Sequence, residues 1–133
     1  LVGYASNMSG HVFVNHTKPT TREITLKEAI SNVNDGVSIV IFPEGARTLT
    51  GKMRQFKKGA FYIAIEEKLQ IVPLTINGPF NVLKRGTLNL KPGKLELVIH
   101  PPISTENICE EDIPELINTT RDIIYSALWE KYK

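Results

Sequence analysis

A short apolar run, Val37-Ser38-Ile39-Val40-Ile41-Phe42, constrains this chain more than any other stretch. It is rich in β-branched residues, follows Gly36 and is stopped by Pro43, so it reads as a buried strand. Pro43 has no backbone N–H to offer a ladder, so the strand should end there. Glu44-Gly45-Ala46-Arg47 follows at once and places a carboxylate and a guanidinium at the strand's carboxyl end, the edge where open α/β sheets bind ligands. From Gly45 to Ile65 there is no acidic residue, while Arg47, Lys52, Arg54, Lys57 and Lys58 all fall in that span. Such a loop suits a phosphate-bearing ligand.

The flanking patterns extend that strand into an α/β fold. His11–Asn15 alternates around Val12, Phe13 and Val14 and reads as a strand. Thr25 and Glu28 form a capping box, and Leu26, Ala29, Ile30 and Val33 give the following helix one apolar stripe before Asp35-Gly36 ends it. Strand, helix and strand in this order make a βαβ unit with parallel pairing. A second helix is expected over Lys58–Leu69, with Phe61, Ile65 and Leu69 on one face, widened by Tyr62, Ile63 and Ala64 until it is largely buried. A strand is expected at Ile71–Ile76, then a hairpin pairing Thr87–Leu90 with Lys94–Ile99 around Pro92-Gly93. A last helix starts near Asp112, with Pro114 early, where a missing N–H is tolerated. Its stripe of Ile113, Leu116, Ile117, Ile123, Ile124, Ala127 and Leu128 should close over the sheet. The expected architecture is α/β, a mixed, mainly parallel sheet with flanking helices.

Bulk properties set the outer bounds. At 133 residues, residues 1–133 are expected to form a single domain that buries roughly two-thirds of its unfolded surface. A net charge of +2 does not by itself imply nucleic acid, and none is expected as a partner. The single cysteine, Cys109, excludes an internal disulfide framework and fits a reducing compartment. No apolar run approaches the ~20 residues that span a bilayer, and no signal peptide is visible. The chain opens on Leu1 without a capped element, which reads as a piece of a longer protein, truncated at its N-terminus.

Arg47 is the first candidate for function, because its planar fork grips phosphate oxygens bidentately where a lysine cannot. The ordinary alternative is a surface arginine paired with Glu44 or Glu66. Glu44 could position an acceptor or orient Arg47, or it could cap the loop by accepting backbone N–H bonds. Gly45 should supply a backbone shape that a Cβ would obstruct. Lys57 and Lys58 stand at the start of the second helix, where the dipole also favours an anion, although a solvated charged face would look the same. Lys52 and Arg54 are weaker candidates that could instead meet anionic headgroups. His11 and His100 have no partner in sequence. No metal site and no resident cofactor are expected.

Three blocks then carry a resemblance. Phe42-Pro43-Glu44-Gly45-Ala46-Arg47-Thr48 resembles the Phe-Pro-Glu-Gly-Thr-Arg-Ser block of the glycerolipid acyltransferases, the lysophosphatidic acid acyltransferase family, and Phe56-Lys57-Lys58-Gly59-Ala60 follows at that family's spacing. Ile71-Val72-Pro73-Leu74-Thr75-Ile76 resembles its last block. Gly10–His16 occupies the place of a Gly-x-x-Phe-Ile-Asp-Arg element, with Asn15 for the acid and His16 for the arginine. The resemblance implies a glycerol-3-phosphate acyltransferase-like fold, a glycerol phosphate held at Arg47, and a weaker contact of the same kind at His16. It implies a lysophospholipid acceptor such as 1-acylglycerol-3-phosphate, and acyl-coenzyme A or acyl carrier protein as co-substrate. It also implies peripheral attachment to the cytoplasmic face of a membrane.

The family's general base is a histidine within His-x-x-x-x-Asp. The residues five after His11, His16 and His100 are His16, Thr21 and Thr105, so this chain has no such dyad. The leading expectation is therefore the acceptor-binding part of an acyltransferase, inactive alone. The alternative is a non-catalytic module that binds a phosphorylated lipid. A nucleotide-phosphate enzyme is disfavoured, since neither a Gly-x-x-x-x-Gly-Lys-Ser/Thr nor a Gly-x-Gly-x-x-Gly loop is present.

Overall fold

A computed structural model describes residues 38–133. The chain divides into two compact units, Leu1–Ile41 and Phe42–Lys133. The expected strand His11–Asn15, the capped helix from Thr25, and the residues His11 and His16 lie outside the described residues. The same holds for Val37.

Residues 42–133 fold in the order α1 (Gly59–Glu66), β1 (Leu74–Asn77), α2 (Pro79–Val82), β2 (Glu96–Ile99) and α3 (Ile113–Ser126). Short 3₁₀ turns at Glu110–Asp112 and Glu130–Tyr132 frame α3. The core is the seam between α1 and α3. Phe61, Ile113 and Leu116 are buried there, with Phe56, Ala60, Ile65, Ile71, Ile103, Ile108 and Ile117 packed around them. The apolar stripe expected on the last helix is thus its inward face, and Pro114 sits in its first turn, where no N–H is needed. Thr105 ties the far end of α1 down, its hydroxyl lying 3.0 Å from the Ala64 carbonyl and 2.9 Å from that of Leu69.

β1 and β2 pair antiparallel, with Leu74 opposite Ile99 and Asn77 opposite Glu96. Thr75 and Asn77 alternate inward and are fully buried, so each must find hydrogen bonds inside the protein. The Thr75 hydroxyl donates to the Ile124 carbonyl at 2.8 Å. Having spent its proton, it accepts from His100 Nε2, also at 2.8 Å, which sets the tautomer of that ring and gives His100 a structural role. The Asn77 amide donates to the Ala127 carbonyl at 2.9 Å and to Glu96 at 3.2 Å, and its oxygen accepts the Trp129 N–H at 3.0 Å. Polar bonds therefore fasten the C-terminal end of α3 to the sheet.

Three expectations are corrected. Ser38–Phe42 forms no strand, and Val40, Ile41 and Phe42 are exposed. A parallel strand needs neighbours to supply ladder bonds, and the described residues supply none there. The described sheet is antiparallel, and the His11–Asn15 half of the expected parallel pairing lies outside the described residues. The expected hairpin is absent too: β2 pairs with β1, while Thr87–Leu90 has no strand partner. The Lys91 N–H goes instead to the Val82 carbonyl at 2.9 Å, and Pro92 has no N–H to give. Finally, α1 is shorter than expected, its face is narrower, and Tyr62 is exposed. An eight-residue helix packed on one neighbour covers only one stripe.

Candidate functional site

The loop between Phe42 and α1 is closed by its own backbone. The Gly45 N–H donates to the Phe42 carbonyl at 3.0 Å, making a tight turn with Pro43 second and glycine fourth, the positions these residues favour. The Lys57 N–H donates to the Pro43 carbonyl at 2.9 Å, bringing the far end of the loop back to its start. Between these points Glu44 accepts the backbone N–H of Arg54 at 2.8 Å. That one bond spans ten residues and draws Arg47 and Arg54 into the same small loop. Gly45 has φ of +70°, a left-handed backbone that favours glycine, and the flexible end of Lys57 lies 2.8 Å from where a Cβ would be.

The tip of the loop is ordered by Thr48, whose hydroxyl accepts the N–H of Thr50 at 3.2 Å and of Gly51 at 3.1 Å. Gly51, with φ of +89°, lies against the rings of Phe80 and Tyr132, where an added Cβ would come within 3.2 and 3.5 Å. The loop therefore rests on α2 and on the C-terminal turn. From the segment after α2, the Arg85 guanidinium reaches across and donates to the Arg47 carbonyl at 3.2 Å.

These constraints leave a half-open cavity of about 230 Å³ lined by Arg47, Thr48, Leu49, Thr50, Arg54 and Arg85. Three arginines and two threonines contribute to its lining, and no acidic residue does. Among the described residues none of the three arginines is ion-paired. Like charges held together repel, so the arrangement favours an incoming anion, and arginine forks suit phosphate oxygens. The volume is below the roughly 300–1,000 Å³ of pockets that enclose a whole drug-sized ligand. It suits a headgroup whose remainder stays outside.

The expected residues separate cleanly. Arg47 lines the cavity, and neither Glu44 nor Glu66 pairs with it. Glu44 holds the loop through Arg54, the capping role that the sequence left open to it. Lys57 packs over Gly45, and Lys58 precedes α1 with an exposed side chain that makes no cap. Neither Lys57 nor Lys58 lines the cavity. Arg54, ranked low from sequence, does line it. Arg85 was missed altogether. Its one sequence signal is that the acid-free character resumes from Lys68 to Leu95, with Arg85 next to Gly86 in a turn. Among the described residues there is no cluster of metal-ligating side chains.

An acyltransferase family model matches residues 1–77, a span that contains all the blocks named above. The 1-acyl-sn-glycerol-3-phosphate acyltransferase of Limnanthes douglasii is 27% identical over 124 residues, covering 92% of this chain and 44% of its own length. A chloroplastic 1-acyl-sn-glycerol-3-phosphate acyltransferase of Brassica napus is 33% identical over 115 residues, covering 84% of this chain and 33% of its own. Among solved structures, the 1-acyl-sn-glycerophosphate (LPA) acyltransferase PlsC from Thermotoga maritima matches with a TM-score of 0.76 at 28% identity, over 97% of this chain and 53% of that one. The chain thus spans less than half the length of these curated relatives. With more than half of its residues matched by the family model and its fold shared with a solved member, the chain belongs to the acyltransferase family.

Proposed function

We propose that this chain is the acceptor-binding part of an enzyme that moves a fatty acyl group from an acyl thioester to the free hydroxyl of a lysophospholipid such as 1-acylglycerol-3-phosphate. The observation that carries this reading is the convergence of Arg47, Arg54 and Arg85 on one small cavity that no carboxylate lines. The acceptor's phosphate lies among the guanidiniums, with the hydroxyls of Thr48 and Thr50 beside it, and its acyl chain remains outside. Glu44 and Gly45 act through the loop by fixing where Arg47 and Arg54 stand. Lys57 and Lys58 are proposed only as outlying sources of positive charge, and His16 as a weaker phosphate contact.

Holding the phosphate presents the acceptor's free hydroxyl to a general base, and such positioning supplies much of the rate of a two-substrate reaction. The base is a His-x-x-x-x-Asp pair elsewhere in the longer protein. It takes the hydroxyl proton as the oxygen attacks the thioester carbonyl. A C–O bond forms, the C–S bond breaks, and the leaving thiolate takes up the proton. The donor is acyl-coenzyme A or acyl carrier protein, and the enzyme works at the cytoplasmic face of a membrane.

Acyl transfer to lysophosphatidic acid from labelled acyl-coenzyme A tests this in three samples: the longer protein, its Arg47→Ala variant and the present chain. Activity in the first, a drop of roughly tenfold to hundredfold in kcat/KM in the second, and none in the third are expected. Silence in all three, with phosphate-dependent binding retained, would instead make this a non-catalytic lipid-binding module.

A further inference from the structure

Arg85 reaches the cavity from a segment that also carries three strongly exposed leucines, Leu88 the most exposed large apolar side chain among the described residues. Leu88 is 101% exposed, Leu90 70% and Leu95 59%. They do not belong to a loose tail. The Lys91 N–H bond to the Val82 carbonyl, at 2.9 Å, closes the neck of the loop. Inside it the Thr87 N–H and hydroxyl both bond to the Lys84 carbonyl, at 3.3 and 3.1 Å, around Gly86 with φ of +82°. A closed loop thus holds Leu88 and Leu90 in water, where exposing large apolar side chains marks a contact surface.

The charges identify the contact. Lys84, Arg85, Lys91 and Lys94 are interleaved with these leucines, and no acidic residue occurs from Lys68 to Leu95. Lys84 lies 5.4 Å from the Phe80 ring, and Lys94 lies 5.9 Å from the Trp129 ring and 4.0 Å from Glu96, the nearest acid in sequence. A protein partner would need a carboxylate placed opposite each cation. An anionic bilayer offers mobile headgroups for the cations and hydrocarbon for the leucines at one surface.

We propose that the Leu83–Leu95 loop docks this protein on an anionic lipid bilayer, with Leu88 and Leu90 inserted at the headgroup boundary and the Arg85 end of the cavity facing the lipid. This rests on the reading of the cavity as a lipid-headgroup site and adds how the acceptor reaches it: from the leaflet, through Arg85.

The test is co-sedimentation of the 133-residue chain with vesicles of phosphatidylcholine alone, or with a minority of phosphatidylglycerol. Binding is expected only with the anionic vesicles, weakening with added salt. Lys91→Gln/Lys94→Gln should lose about fivefold in partitioning for each cation removed. Leu88→Ser/Leu90→Ser should lose binding at unchanged charge, and an unshifted melting temperature will show that both variants fold. Equal vesicle binding by both variants and the parent overturns the proposal. So does concentration-dependent self-association that the leucine variant abolishes, which would assign the surface to a second copy of the chain. Solution binding of a short-chain lysophosphatidate keeps the two readings apart. Both loop variants should retain it, while Arg47→Ala should lose it and still bind vesicles. Vesicle binding with no lysophosphatidate binding in any sample would remove the acceptor reading and leave the docking surface standing.

Discussion

Glu44 shows how a single carboxylate can matter to a site without entering it. Its bond to the Arg54 N–H is exposed, so it adds about 0.5–1.5 kcal/mol at most to stability. Its larger effect is geometric, because it ties Arg54 back to the start of the loop that carries Arg47, and both arginines line one cavity. Glu44→Gln retains an oxygen acceptor there, whereas Glu44→Ala retains none. Titration with a soluble short-chain lysophosphatidate should therefore give near-parental affinity for Glu44→Gln and a several-fold loss for Glu44→Ala. If both variants lose affinity alike, the carboxylate's charge rather than its acceptor is what counts, and if neither loses it the positioning role fails. Arg85 differs in kind, since its guanidinium borders the cavity directly. Arg85→Ala should weaken binding roughly tenfold to hundredfold, the value of one or more charge-assisted bonds. Arg85→Lys should recover only part of it, because a lysine keeps the charge and loses the fork.

At the scale of elements, the linkage between β1 and α2 is the least replaceable part of the scaffold. Gly78 has φ of +99°, and a Cβ there would overlap the Lys94 carbonyl oxygen. Backbone strain and collision combine, so Gly78→Ala should cost about 2–3 kcal/mol or more in urea unfolding. Gly86→Ala, equally left-handed but with open space around it, should cost less. Equal losses would show that φ alone sets the penalty. These positions also mark where the sequence could be read and where it could not. The α3 stripe was legible because Ile113, Leu116 and Ile117 recur at helical spacing, and a local period survives any choice of partner. The loop after Phe42 was legible in part, since Pro43, Gly45 and the acid-free run are adjacent in sequence. The pairing of β2 was not. Alternation around Pro92-Gly93 fits a hairpin, and nothing local reveals that Lys91 will spend its N–H on Val82 or that β1 is the true partner. Arg85 failed for the same reason, because 38 residues separate it from the carbonyl it meets.

Across the whole unit, the C-terminal turn is joined to both the sheet and the candidate site. The Trp129 indole N–H donates to Glu96 at 2.6 Å, its ring stacks on Tyr132 at 5.9 Å, and Tyr132 in turn lies under Gly51 of the Phe42–Lys57 loop. Tyr132 is buried, and burial pushes its phenol above the ordinary value of 10.0, with the Asn81 side chain pulling weakly the other way. The folded state therefore favours the neutral phenol. That preference contributes fully below the unfolded pKa near 10 and is lost as pH rises through the higher folded value. The parent chain should lose stability above about pH 10, and Tyr132→Phe should lose less over the same interval, since it has no proton to release. Trp129 is the sole tryptophan, so its fluorescence reports the stack directly during urea unfolding at successive pH values. Because Gly51 rests on the same ring, the protection of the Thr48–Gly51 amides, relative to the base-catalysed exchange of a free chain at each pH, should fall at alkaline pH in the parent chain and much less in Tyr132→Phe. Parallel pH profiles for the two proteins would show that Tyr132 titrates without consequence. Divergent stability with unchanged exchange at Gly51 would confine the linkage to the C-terminal turn and sever it from the loop that holds Arg47 and Arg54.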